Sequence, residues 1–213
     1  MTCQHCCGAE SIFDKKTADK DAIRYQKKGP NKTTLSILNT ITDKDIENAT
    51  FLDIGGGIGV LQHEALKRGA LKTTNVDASF SYQEKAKDLG KTNKTIEKMS
   101  FYHGDFIDHE SVIDQHDIVT LERVVCCYPD VEELITSTTS KSKHIYALVY
   151  PLDNFLSRLL IKVTHIYFWL KKNPFRTYVH SEKMMHALIE EQGFELIKKD
   201  RKSFWRITVY RRK

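Results

Sequence analysis

The residues with the clearest capacity for chemistry lie in "FLDIGGGIGV", residues 51–60, where Asp53 stands two positions before Gly55, Gly56 and Gly57, and Gly59 follows. Glycine loses more backbone freedom on ordering than any other residue, so such a cluster marks a sharp turn or a close approach of the backbone to a ligand. If a strand precedes the run and a helix follows it, the turn aims backbone N–H groups and a helix N-terminus at the guest, and a nucleotide-like molecule fits. The dinucleotide fingerprint G-x-G-x-x-G would need glycine at position 60 or 62, where the chain has Val60 and Gln62. A dinucleotide is therefore disfavoured.

Further acids follow along the chain. Asp77, with Ala78 after it in "NVDAS", lies eighteen residues beyond Gly59. At a strand end its carboxylate can accept both hydroxyls of a ribose. "HGDFID" supplies Asp105 and Phe106, and "DIVTLERVV" supplies Leu121, Glu122 and Arg123. The spelling D-x-G-x-G-x-G at Asp53, Gly55, Gly57 and Gly59 resembles the first motif of class I S-adenosylmethionine-dependent methyltransferases. The resemblance implies that Asp53 holds the amino end of the cofactor and that Gly55, Gly56, Gly57 and Gly59 pass under its ribose and methionine portions. It further implies that Asp77 and Ala78 meet the ribose, that Asp105 accepts from the adenine amino group, and that Phe106 packs on the ring. Leu121, Glu122 and Arg123 would border the methionine end, and Tyr25, in the upstream segment that commonly caps the cofactor, is an expected contact. The resemblance runs from roughly Thr50 to Pro151, and the whole chain is similar to small bacterial methyltransferase-domain proteins, loosely like magnesium-protoporphyrin O-methyltransferases.

The elements that must position these residues are visible in the hydrophobic pattern. Short β-rich runs, "TFLDI", "TTNVD", "MSFYHG", "DIVTL", "HIYALVY", "FELIKK" and "FWRITVY", alternate with helical patterns up to the last two. Helices are expected over "GVLQHEALKRG" closed by Gly69, "SFSYQEKAKDLG" between Ser79 and Gly90, and "SEKMMHALIEEQG" between Ser181 and Gly193. The fold class that follows is α/β: a Rossmann-like, seven-stranded, mostly parallel sheet with an antiparallel edge hairpin and helices on both faces. One domain is expected over 1–213, with an N-terminal arm and capping helices over 1–48 and an insertion over 152–180.

For the reaction, displacement at a methyl carbon depends chiefly on alignment, and orientation can supply on the order of 7 to 11 kcal/mol. Any general base would come from loops at the carboxyl ends of the strands, which offer His180, Tyr128 and Glu122. The fourth strand lacks the N-P-P-Y or D-P-P-Y run of enzymes that methylate adenine or glutamine amines. A small, partly apolar acceptor, methylated on oxygen or nitrogen, is expected. Cys126 and Cys127 leave a thiol or metalloid S-methyltransferase as an alternative, or are two small buried hydrophobes. A non-catalytic module that senses S-adenosylmethionine or metal is the other alternative. "CQHCC" at 3–7 offers half a metal site and no second C-x-x-C exists, so no metal ligand is assigned.

The formal charge of +5 is modest for 213 residues and does not favour a nucleic-acid partner. No apolar run is long enough to span a bilayer, and the five cysteines are clustered and odd in number. A cytoplasmic protein is expected. In "NFLSRLLIKVTHIYFWLKK", residues 154–172, Arg158, Lys162, His165 and Lys172 share one helical stripe and leave a broad apolar face. Burial by the sheet or a dimer partner, a wall of the acceptor pocket, and a peripheral membrane contact are the readings of that face.

Overall fold

The computed structural model describes residues 4–213, with side chains from Gly8 onward. The cysteines of "CQHCC", Cys3, Cys6 and Cys7, therefore lie outside the described residues or side chains. Four helices open the chain: α1 (Gln4–Ile12), α2 (Lys15–Lys28), α3 (Lys32–Thr40) and α4 (Asp43–Ile46). Strands and helices then alternate as β1 (Thr50–Ile54), α5 (Val60–Lys67), β2 (Lys72–Asp77), α6 (Phe80–Thr92), β3 (Met99–His103), α7 (Phe106–His109), β4 (His116–Glu122), α8 (Val131–Ser140) and β5 (Ser142–Pro151). The long helix α9 (Phe155–Leu170), then α10 (Glu182–Glu191), β6 (Phe194–Lys202) and β7 (Trp205–Arg212), complete the order.

The seven strands form one sheet in the order β3-β2-β1-β4-β5-β7-β6. β1 to β5 run parallel, whereas β7 inserts between β5 and β6 and pairs antiparallel with both. The expected edge hairpin is present, with β6 outermost. Period-two alternation divides the core between the two faces. Tyr146, Leu148 and Tyr150 of β5 point to the side covered by α8 and α10, through Leu134, Ile135, Met185 and Ile189. Ile145, Ala147 and Val149 point to the other side, covered by α3 and α5 through Ile37, Leu38, Leu61 and Ala65.

Local chemistry sets the helix ends. Asn31, Ser79, Asn154 and Ser181 accept backbone N–H bonds as N-caps of α3, α6, α9 and α10. Gly69 and Gly193 follow α5 and α10 with φ of 92° and 85°, as the helix stops require. The stop expected at Gly90 lies two residues early, because α6 continues to Thr92 and is capped by Asn93. A Cβ at Gly90 would stand 2.9 Å from the Met99 sulfur, so the helix packs closely on β3 there.

Leu148 is fully buried and central to the α8/α10 face. Leu148→Ala is expected to cost about 2–5 kcal/mol of unfolding free energy, measured by urea titration. A change below about 0.5 kcal/mol would contradict this packing.

Candidate functional site

The glycine run turns the chain directly after β1. The Gly55 and Gly56 N–H groups donate to the Val76 carbonyl of β2, at 2.7 and 3.4 Å, and the Gly59 N–H closes the turn onto the Gly56 carbonyl. Gly55 and Gly57 have φ of 63° and 54°, which an L side chain tolerates poorly. Space is the harder limit. A Cβ on Gly55 would lie 2.1 Å from a Val124 methyl, and one on Gly56 would lie 2.6 Å from the Gln62 amide nitrogen and 2.7 Å from that of Asn75.

The turn lines a cavity of about 500 Å³ at the carboxyl ends of the central strands. Asp53 forms part of its floor, nearly fully buried, and accepts from the Thr120 hydroxyl at 2.6 Å and from the Gln62 amide at 3.3 Å. Burial pushes its carboxyl up to about 7, with the neighbouring Glu122 and Asp77 charges adding to the rise. Asp77 caps both ends of its own surroundings, accepting the Gly57 N–H and the Ser79 N–H, each at 2.7 Å. Burial raises its carboxyl to about 6 in spite of these two bonds. Asp105 is the N-cap of α7, accepting the Ile107 N–H, and takes a short hydrogen bond from the Tyr128 hydroxyl.

On the far side, β4 ends at Glu122, whose two oxygens accept from the hydroxyls of Thr33 and Thr34 and from the Asn31 amide at the N-terminus of α3. Arg123 then takes a left-handed conformation, φ 65°, with its N–H bonded to the Val149 carbonyl. Its guanidinium donates to the Thr33 hydroxyl at 3.0 Å and lies 4.8 Å from the Trp205 ring centroid. The roof comes from sequence-distant pieces: Ala9 and Phe13 of the N-terminal arm, Asp21 and Arg24 of α2, and Phe175 and Thr177 of the segment after α9. Phe13 meets Tyr82 and Phe175 edge-to-face at 5.6 and 6.2 Å.

Of the expected residues, Asp53, Gly55, Gly56, Gly57, Asp77, Ala78, Asp105, Phe106, Glu122, Arg123 and Tyr128 line this cavity. Gly59 stands beside it as the N-cap of α5. Leu121 does not line it: its side chain is fully buried in the core on the α8/α10 face. Tyr25 also stands outside the lining, stacked near His63 with its hydroxyl donating to Glu64 at 2.6 Å. His180 lies one layer behind, its ring nitrogen bonded to the Tyr128 carbonyl at 2.9 Å, and burial holds its pKa below the ordinary histidine value. Cys126 and Cys127 both border the cavity, and the hydrogen bond between the two thiols together with burial pushes the Cys127 thiol well up. A protonated thiol is a poor nucleophile.

The helix α9 contributes none of the lining. The segment that follows it does. Asn31, Thr33 and Thr34 carry a sequence signal that was open to reading, the N-cap Asn after Gly29-Pro30, whereas Phe13, Arg24 and Trp205 reach the cavity only through tertiary packing. Among the described residues no group of three or more His, Cys, Asp or Glu side chains could hold a metal ion.

The donor set fits S-adenosylmethionine. The cavity presents five carboxylates, Asp21, Asp53, Asp77, Asp105 and Glu122, against two guanidinium groups, Arg24 and Arg123. Such a wall suits a ligand with a sulfonium and an ammonium group, and repels the pyrophosphate of a dinucleotide. The Cβ-free cradle at Gly55 and Gly56 lets that ligand meet the backbone directly.

Comparison with known proteins agrees with this geometry. The methyltransferase domain family matches residues 25–199. The ribosomal protein L11 methyltransferase of Shewanella frigidimarina is 31% identical over 74 residues, a match covering 35% of this chain and 25% of that protein. Among solved structures, magnesium protoporphyrin IX methyltransferase from Synechocystis PCC 6803 with bound SAH has a TM-score of 0.65 at 16% identity, covering 96% of this chain and 85% of that one. An O-methyltransferase family protein from Burkholderia thailandensis has a TM-score of 0.66 at 16% identity, covering 95% of this chain and 62% of that one. At such identities the structural likeness speaks for the fold. With the family match covering most of its length, the chain belongs to the methyltransferase domain family.

Proposed function

We propose that this chain is an S-adenosylmethionine-dependent methyltransferase acting on an oxygen or nitrogen of a small, partly apolar molecule. The observation that carries this reading is the make-up of the cavity: an acidic floor on one side, and on the other the apolar side chains of Ala9, Phe13, Phe175 and Trp205. A cavity of about 500 Å³ falls within the range of small-ligand sites, roughly 300–1,000 Å³, and its mostly apolar walls suit an acceptor with a ring or chain.

Bound S-adenosylmethionine supplies a methyl carbon already activated by its sulfonium leaving group. The chain's own residues then do three things. Asp53 and Asp77 would hold the amino and ribose ends, the glycine turn would set their separation, and the aromatic roof would keep water from the reacting atoms. Glu122 accepts from Asn31, Thr33 and Thr34 at the N-terminus of α3, which makes it an orienting group for Thr33 and, through Thr33, for Arg123. Tyr128, whose hydroxyl donates to Asp105 and which is present in the lining, is the better candidate to relay a proton from an acceptor, taking it on the phenol oxygen as its own proton passes to the Asp105 carboxylate. His180 would act through Tyr128, as a positioning residue. The raised Cys127 thiol speaks against the S-methyltransferase alternative.

The test is a screen of acceptor pools with methyl-labelled cofactor, with small apolar phenols, acids and amines in one arm and ribosomal proteins in the other. Label in the small-molecule arm is expected. Label confined to protein would sink the proposal while leaving methyltransferase activity intact.

Asp77→Ala is expected to weaken S-adenosylhomocysteine binding in calorimetry by about 1.5–3 kcal/mol, the cost of hydrogen bonds to a charged group. Unchanged affinity would remove Asp77 from the site. A pH dependence follows as well. The folded chain keeps the Asp53 proton up to about 7, and the Asp77 proton up to about 6, where the unfolded chain has released them above its ordinary 3.8. The native state therefore binds more protons across that window, and stability of the unliganded protein falls as pH rises through it. Cofactor affinity should rise over the same window, because the ionised carboxylates are the acceptors. Thermal unfolding and calorimetry across this range check both slopes, and Asp77→Asn should flatten part of each.

A further inference from the structure

The helix α9 is amphipathic, but its apolar half faces outward. Ser157 is buried, and Ile161, Thr164, His165 and Phe168 are half-buried on the inner side. Nine large apolar side chains of this helix are exposed, among them Phe155 at 81% and Trp169 at 69%, whereas the other exposed large apolar residues are scattered singly or in pairs over the chain. At about 100° per residue these nine fill roughly half of the helix circumference. A contiguous apolar face of this extent marks an interaction surface.

Its charges identify the occupant. From Asn154 to Ser181 there is no Asp or Glu, while Arg158, Lys162, Lys171, Lys172 and Arg176 are all cationic. Arg158 pairs with Asp153, and Arg176 donates to the Asn173 and Phe175 carbonyls. Lys162, Lys171 and Lys172 have no carboxylate partner among the described residues, and Lys162 and Lys171 stand at opposite margins of the apolar arc. A second copy of the chain seated on this face would bring like charges together with no acid between them. A bilayer with anionic headgroups would receive the apolar side chains, place Trp169 and Tyr167 at its interface, and pair with the lysines as their stems lie along the apolar surface. Among the described residues no helix is long and apolar enough to cross a membrane, so the contact lies in the plane of the surface.

We infer that α9 docks this methyltransferase on an anionic membrane surface. The helix is tied to the cavity, since Phe168 meets Phe175 edge-to-face at 5.6 Å and the His165 ring bonds the Thr177 carbonyl at 2.7 Å. A docked α9 holds one wall of the cavity next to the lipid, where an acceptor of limited water solubility collects. The docking itself does not depend on what the acceptor is.

Flotation of the full chain with vesicles tests the inference without any methyl transfer. Co-flotation with phosphatidylcholine vesicles containing phosphatidylglycerol is expected, and at least about tenfold weaker partitioning onto phosphatidylcholine alone, each free lysine contributing about fivefold. Val163→Asp with Ile166→Asp should abolish flotation. Both positions are exposed and outside the cavity, so the unfolding midpoint and S-adenosylhomocysteine affinity should stay at their original values. Lys162→Glu with Lys171→Glu should weaken flotation at least about tenfold, which separates charge from apolar insertion. The inference is overturned if the chain does not float with anionic vesicles, if neutral vesicles bind it equally, or if the double Asp variant floats like the original. It is also overturned if light scattering shows a dimer that the double Asp variant dissociates in a chain that binds no vesicles, which would give the face to a second copy.

Discussion

The site rests on one shared volume, the space between the turn after β1 and the turn after β4. The Val124 methyl occupies the position that a side chain on Gly55 would need, 2.1 Å from an ideal Cβ. Neither turn can therefore be placed without the other. Arg123 completes the fit by adopting φ 65°, a conformation that costs a non-glycine residue energy and persists only where the surroundings determine it. Its N–H bond to Val149 of β5, its donor to Thr33 of α3 and its stacking on Trp205 of β7 supply that determination. Three elements distant in sequence thus hold the one turn that must meet the glycines.

Electrostatics gives the same site its chemical bias. A chain with formal charge +5 concentrates five carboxylates around one cavity, with Asp53 and Asp105 almost fully buried and Asp77 half-buried. Burying an acid without a cation is costly, and the raised values at Asp53 and Asp77 record that cost as retained protons. A cationic ligand reverses the balance, because it provides the missing counter-charge in a medium where attraction is weakly screened. The bonds from Thr120, Gln62, Gly57 and Ser79 orient the oxygens beforehand, so binding need not reorganise them.

Where the determinants are local, the sequence was legible. The acid-and-glycine spelling, the strand endings at Asp77 and Glu122, and the N-caps at Ser79 and Ser181 each depend on a few consecutive residues, and all fall where expected. The hairpin of β6 and β7 was legible for the same reason, as only a turn separates them. The roof was not, since Phe13, Arg24 and Trp205 come from elements whose packing no local pattern encodes. Tyr25 shows the limit in one residue: its position before α3 suggested a cofactor cap, yet Glu64 offers its hydroxyl a partner on α5 and the ring is buried there. Leu121 shows another, because the alternation of β4 sends it to the α8/α10 core although its neighbour Glu122 reaches the cavity.

For α9 the amphipathic period was readable, but the direction in which the face points was not. An apolar stripe on a helix beside a sheet ordinarily turns inward, and here Ser157, Thr164 and His165 turn inward in its place. The reason lies on the sheet face itself. Tyr146, Leu148, Tyr150 and Tyr210 are already covered by α8 and α10, leaving α9 no apolar surface of its own to join. Its attachment falls instead to the Phe168–Phe175 contact and the His165–Thr177 bond, both directed at the segment that roofs the cavity. The aromatic series Phe168, Phe175, Phe13, Tyr82 then runs without a break from the outward helix to the glycine turn, where a Cβ on Gly57 would already stand 3.2 Å from the Tyr82 ring. The outer apolar face and the glycine turn are thus joined through contiguous packed rings, at native interior density rather than through a loop.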